Sequence, residues 1–209
     1  LHRVRDLDRF VRTGDFNQRW TVALRNLWQK QLGLVGFGNI AQYVAAICKS
    51  GFQMKVKAFD PFVSAKEMAK LGVEKSEFLP DLLGSSDVVS LHVPLSEKTR
   101  HMIGKKELDA MKSSSIIVNT ARGGIIDETA LFEALTSGQI WAAGIDVFET
   151  EPPAADNPLF KLDNVLLSPH CVASNEEGRR ATAIAAAKLV ESALAGELPP
   201  TTLNRDSVA

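Results

Sequence analysis

The chain has 209 residues, 45% of them hydrophobic, with 24 Lys and Arg against 25 Asp and Glu and a formal net charge of -1. That length fits one globular domain with appendages, and the near-zero charge gives no basic field to hold a phosphate backbone, so no nucleic-acid partner is expected. Cys48 and Cys171 are too few and too far apart for a disulfide framework or a zinc site. No apolar run nears the roughly 20 residues that span a bilayer and no leader opens the chain, so a cytoplasmic protein without membrane contact is expected.

Residues 1–30 are charged and aromatic, with Leu7, Phe10, Val11, Phe16, Trp20, Leu24, Leu27 and Trp28 irregularly spaced among arginines and aspartates. The pattern predicts a helix end and an arm whose apolar side chains form a contact surface. At Gln31 the character changes to a short apolar run ending in glycines, which reads as a buried strand. Further strands are expected at 55–59, 87–93, 115–120, 142–148 and 164–167. Helical patterns lie between them at 40–49, 65–71, 105–112 and 128–137, with a turn at 79–83 and a last helix at 176–195. This alternation predicts an α/β fold, a Rossmann-type doubly wound parallel sheet with helices on both faces. The expected organisation is 1–30 linker helix end and arm, 31–173 nucleotide-binding domain, and 174–209 C-terminal helix and tail. The tail is expected to fray from Pro199-Pro200 through the polar residues 204–209.

Gly36-Phe37-Gly38-Asn39-Ile40-Ala41 has the form GxGxxA at a strand-to-helix junction. Gly36 suits a tight turn, Gly38 a close backbone approach to pyrophosphate, and Ala41 close packing of helix on strand. The helix N-terminus then offers N–H groups to an anion. Asp60 follows Gly36 by 24 residues, at the end of the second strand. A carboxylate there accepts hydrogen bonds from ribose hydroxyls and repels a 2′-phosphate, and Pro61-Phe62-Val63 supply no cation to neutralise one. NAD rather than NADP is therefore expected. The plainer readings are glycines that only punctuate a turn and an aspartate that only precedes Pro61.

Open α/β sheets bind ligands beyond the carboxyl ends of their strands, and three such ends carry candidate chemistry. Arg122 follows the strand at 115–120, beside Gly123 and Gly124, and suits a bidentate grip on a carboxylate. Asp146 and Glu151 come at the end of the next strand and just beyond it. His170 follows the last strand, and an imidazole with a carboxylate partner suits protonation of a carbonyl oxygen near neutral pH. Singly, a turn arginine is a solvated residue and a histidine after proline a satisfied loop residue. Together they cover three successive strand ends in complementary roles.

The string Leu34-Val35-Gly36-Phe37-Gly38-Asn39-Ile40, then Leu91-His92-Val93-Pro94-Leu95 with Thr99-Arg100-His101-Met102-Ile103, then Val118-Asn119-Thr120-Ala121-Arg122-Gly123-Gly124, then Gly144-Ile145-Asp146-Val147-Phe148-Glu149-Thr150-Glu151-Pro152, then Ser168-Pro169-His170, resembles the D-isomer-specific 2-hydroxyacid dehydrogenases. The resemblance implies that Arg122 binds the substrate carboxylate, that His170 exchanges a proton with the 2-oxo or 2-hydroxy group, and that Glu151, directly before the proline, pairs with His170. Glu149 is then a near-by decoy. It implies NAD as hydride carrier, a small 2-hydroxy or 2-oxo acid as substrate, and a homodimer formed partly by the arm. Asp146 would lie near the nicotinamide, and Asn39, Ile40, Asp60, Val93, Pro94, Thr99, Thr120 and Ala121 match other cofactor-lining positions.

His170 is followed by Cys171-Val172-Ala173-Ser174-Asn175, where the family runs through small residues to a Thr. Nothing before Gln31 resembles the family's N-terminal substrate lobe. With Leu1 in place of a methionine, that reads as the C-terminal portion of a larger enzyme, one expected to reduce 2-oxo acids poorly alone. His92 is expected to shape the cofactor pocket, Cys171 to be inert, His2 and His101 to lie at the surface, and the Ala-rich helix to serve packing. An NAD(H)-sensing corepressor-like module on the same fold is the alternative, and a purely structural fragment a third reading.

Overall fold

A computed structural model describes residues 3–199 and residue 202; the expectations for Leu1, His2, Pro200 and the tail from 203 onward lie outside these. The chain divides into two compact units, 1–167 and 168–209.

The first unit is built on seven parallel strands in the order β3-β2-β1-β4-β5-β6-β7. These are β1 Gln31–Val35, β2 Lys55–Phe59, β3 Glu74–Lys75, β4 Val88–Leu91, β5 Ile116–Asn119, β6 Ala142–Ile145 and β7 Val165–Leu167. The helices are α1 Val4–Arg12, α2 Asn39–Phe52, α3 Ala65–Lys70, α4 Leu79–Ser85, α5 Lys105–Ala110 and α6 Glu128–Ser137. The expected doubly wound parallel sheet is what the chain forms. Strands covered on both faces read as unbroken apolar runs rather than alternating ones, which is why β1 and β5 stand out in the sequence.

Two separate apolar clusters fill the space around the sheet. Leu32, Leu34, Phe37, Ala41, Ala45, Val56 and Met68 join β1 and β2 to α2 and α3. Val89, Leu91 and Ile117 meet Leu82, Leu108, Leu131 and Leu135 from α4, α5 and α6 in the other. Ala41 is wholly buried, as a small residue letting α2 lie close to the sheet should be. Because β1 lies between β2 and β4, the chain winds outward to β3 and then returns to the other side of β1. That reversal is the switch point at which open α/β sheets leave a crevice.

Three details differ from the sequence expectation. The two-residue β3 is too short and polar to show a strand pattern, and its pairing of Lys57 with Glu74 and Ala58 with Lys75 places it. The expected turn at 79–83 is a full helix, α4, with Pro80 tolerated in its first turn. The sixth strand stops at Ile145, so Asp146 lies just past its end and Val147 and Phe148 belong to the loop.

In the arm, α1 is followed by a 3-10 turn, Phe16–Trp20. Arg19 lies over the Phe16 and Trp20 rings at 4.2 and 4.7 Å, yet Trp20 remains 78% exposed and Phe16 58%. The second unit holds helix α7, Glu176–Leu194, whose N-terminus is capped by Asn175 accepting the Gly178 N–H. None of its residues is buried, and Ile184, Val190 and Leu194 are exposed.

Candidate dinucleotide site

The turn after β1 is built by close contact rather than by loose glycines. Gly36 has φ +90°, and a Cβ placed on it would stand 2.7 Å from the His92 carbonyl oxygen and 2.9 Å from Val93 Cγ1. No side chain fits there in that conformation. Two residues on, Gly38 begins α2 with φ -74° and no side chain to cap it. A Cβ on Gly38 would meet nothing within 4 Å. The first glycine is therefore closed by protein and the second faces open space, where a pyrophosphate fits against the first N–H groups of α2. Asn39 and Ile40 are exposed at the same end of the sheet.

Asp60 comes one residue past β2. Its Oδ2 accepts the Phe37 N–H at 2.9 Å and its Oδ1 the Phe62 N–H at 2.8 Å. It is a turn residue before Pro61 and also a strut between the ends of β2 and β1. An ionised carboxylate has about four acceptor positions, so two remain for a pair of ribose hydroxyls. These residues fit an adenine dinucleotide that lacks a 2′-phosphate.

Beyond β4, the half-buried Thr99 hydroxyl donates to the Pro94 carbonyl at 2.6 Å and accepts the Ser96 N–H at 2.8 Å. Its polar capacity goes chiefly to shaping the loop that carries Pro94, with Val93 half-buried before it. Beyond β5, Thr120 is exposed and the buried Asn119 organises the next turn. Its side chain accepts the Ala121 N–H at 3.1 Å and donates to the Arg122 carbonyl at 2.9 Å. Arg122 is exposed, with Nη1 donating to the Ala121 carbonyl.

Gly123 is held by close contact. A Cβ on it would lie 1.7 Å from the Phe148 carbonyl oxygen, so the turn bearing Arg122 is pressed against the segment after β6. On that segment Glu151 accepts the Phe148 N–H at 3.0 Å. Buried Asp146 donates its backbone N–H to the Asn119 carbonyl at 3.0 Å. The carboxyl ends of β5 and β6 are thus one packed piece carrying Arg122, Asp146 and Glu151.

His170 belongs to the second unit, where its φ of +50° puts it in the left-handed region. Such conformations cost energy in non-glycine residues and concentrate at functional positions. Cys171 is exposed. His101 is exposed, as expected, and its Nε2 lies 3.1 Å from Glu149 Oε1.

Sequence reasoning missed Asn119 as the organiser of its turn and Gly123 as a contact glycine. An Asn at a strand end, directly before a turn, is a signal that could have found the first. Among the described residues no group of three or more His, Cys, Asp or Glu side chains is placed to hold a metal, and no helix is long and apolar enough to cross a membrane.

A parallel sheet with a glycine turn at its switch point and an acid at the end of the second strand defines a dinucleotide-binding α/β domain. Residues 1–172 match the NAD binding domain of the D-isomer specific 2-hydroxyacid dehydrogenases, and the chain belongs to that family. It is 44% identical over 182 residues to D-3-phosphoglycerate dehydrogenase of Methanocaldococcus jannaschii, covering 87% of this chain and 34% of that protein. It is 42% identical over 209 residues to glyoxylate reductase of Korarchaeum cryptofilum, covering 99% of this chain and 62% of the relative. The crystal structure of a glyoxylate reductase from Paecilomyes thermophila superposes with a TM-score of 0.87 at 32% identity, over 99% of this chain and 61% of that one. The chain therefore spans about a third to three-fifths of the length of these relatives.

Proposed function

We propose that the chain binds NAD(H) and, in the full-length protein, takes part in interconverting a small D-2-hydroxy acid and its 2-oxo acid. The observation that carries this reading is a single sheet end bearing the open Gly36–Gly38 turn, the Asp60 carboxylate and the packed Arg122 and Glu151 segments. Membership of the dehydrogenase family supports it.

When bound, the nicotinamide supplies or accepts the hydride. In this reading Gly36 makes the tight turn, Gly38 lets the backbone at the start of α2 approach the pyrophosphate, Asn39 and Ile40 line the cofactor, and Asp60 holds the ribose. Val93, Pro94, Thr99, Thr120, Ala121 and Asp146 line the remainder of the cofactor path. The Arg122 guanidinium grips the substrate carboxylate, which fixes the 2-carbon in one orientation. His170, as imidazolium, gives its proton to the carbonyl oxygen as negative charge develops there, and takes it back in the oxidative direction. Glu151 is the carboxylate that pairs with His170 and orients its ring. The relatives' names, D-3-phosphoglycerate dehydrogenase and glyoxylate reductase, support a small 2-hydroxy or 2-oxo acid as the substrate class.

Residues 1–30 are read as linker and arm, 31–173 as the nucleotide-binding domain, and 174–209 as the C-terminal helix and tail. Exposed Phe16, Trp20 and Trp28 support a homodimer through the arm. A cytoplasmic location accompanies this reading.

The test is NADH-dependent glyoxylate reduction by the full-length protein and its His170→Ala variant. Turnover in the variant should fall by about 10²-fold or more, the range of a lost general acid, with NADH affinity nearly intact. Undiminished turnover would remove His170 from the chemistry.

A further inference from the structure

The end of β4 carries a histidine that the proposed chemistry does not use. Ser90 lies within β4 and His92 one residue past its end, on the same side of the chain. Ser90 is buried, and its Oγ lies 3.0 Å from His92 Nε2. The His92 backbone is committed as well. Its N–H donates to the Val35 carbonyl at 2.7 Å, and its carbonyl with the Val93 side chain forms the wall that excludes any Cβ at Gly36.

Burial lowers the imidazole pKa below its ordinary value. Of the strands flanking β4, β1 ends in a turn with no ionisable side chain of its own, which Asp60 reaches at the Phe37 N–H, and β5 is followed by Arg122.

We propose that His92 is a positioning residue for the phosphate-binding turn: seated on Ser90, it sets the wall against which Gly36 turns, and with it the placement of the α2 N-terminus. This rests on the NAD(H)-binding reading above. A buried imidazole that takes a proton is driven toward water, because an unpaired charge is costly inside protein. The contact at Gly36 has no slack, so the turn follows the wall.

The experiment titrates the chain and its His92→Gln and His92→Ala variants with NADH by fluorescence between about pH 8 and about pH 4, a window carried below the ordinary histidine range because burial holds the ring's pKa down. In parallel the Gly36 amide of the free chain is followed by NMR over the same range. The expected result is a parent affinity that falls by about fivefold on the acid side, the order contributed by one hydrogen bond. His92→Gln, which still reaches Ser90 but cannot ionise, should show a flat profile, and His92→Ala should bind more weakly throughout. The Gly36 amide shift should track titration of the His92 ring. The proposal is overturned by the same acid limb in parent and His92→Gln, by His92→Ala binding as tightly as the parent, or by a Gly36 amide indifferent to His92. If no NADH binds at any pH the nucleotide reading fails, and the Gly36 amide alone then decides the positioning.

Discussion

Glu128 and Glu149 each accept a hydrogen bond from the other's backbone: the Glu128 N–H donates to Glu149 Oε1 at 2.9 Å and the Glu149 N–H to Glu128 Oε1 at 2.6 Å. Asn157 Nδ2 donates to the other Glu128 oxygen at 3.0 Å. The clasp ties the start of α6 to the loop after β6, next to the Gly123–Phe148 contact. Replacing Glu149 with Ala leaves the Glu128 N–H without its acceptor. Stability should fall by about 1 kcal/mol in urea denaturation, whereas Glu149→Gln, which retains an acceptor, should lose less. Equal losses in the two variants would show that the hydrogen bond is not what matters.

The two glycines at the sheet end predict opposite phenotypes. Gly123→Ala forces a methyl against the Phe148 carbonyl, where there is no room for one. A loss of about 3 kcal/mol or an unfolded chain is expected, as for severe overpacking. Gly38→Ala meets no protein atom and has an ordinary φ. It should cost less than about 1 kcal/mol in stability, the scale of a cap change, yet weaken NADH binding about tenfold or more by displacing a backbone–phosphate contact. A Gly38→Ala chain that binds NADH as the parent does would remove the phosphate from this turn.

Asp60 should set cofactor choice. The parent is expected to prefer NADH over NADPH by at least about tenfold, because a 2′-phosphate would meet a carboxylate. Asp60→Asn removes that charge while retaining an acceptor, so the preference should shrink mainly through tighter NADPH binding. Fluorescence titration with both cofactors reads the ratio, and an unchanged ratio would contradict the assignment.

Asp87 predicts a pH dependence of stability. Burial raises its pKa, but the Gln31 N–H at 2.9 Å, Lys112 Nζ at 2.9 Å and the charges of Lys112 and Lys30 outweigh that, and the net shift is downward. A lowered folded pKa gives stability that is full above the unfolded value of about 3.9 and is lost as pH falls through the folded one. Asp87→Asn cannot ionise. Between about pH 5 and about pH 2 the parent should lose more stability than Asp87→Asn, and parallel acid limbs in urea midpoints would contradict this.

The sheet was legible in the sequence because strands buried on both faces must be short continuous apolar runs, as 31–35 and 116–119 are. β3 was not, since Glu74 and Lys75 become a strand only by pairing with β2. Gly36, Gly38 and Asp60 could be found because a phosphate turn and a ribose acid sit at a characteristic spacing within one βαβ unit. What packs the Arg122 turn against the Glu151 segment could not. The Gly123–Phe148 contact and the Glu128–Glu149 clasp join residues more than 20 positions apart, and no local pattern records which carbonyl a glycine meets.

Whether this sheet end holds a nicotinamide dinucleotide is read directly by titrating the chain with NADH and following its fluorescence. Saturable binding is expected, weakened in Gly38→Ala at nearly unchanged stability. A correctly folded chain showing no saturable NADH signal would contradict it.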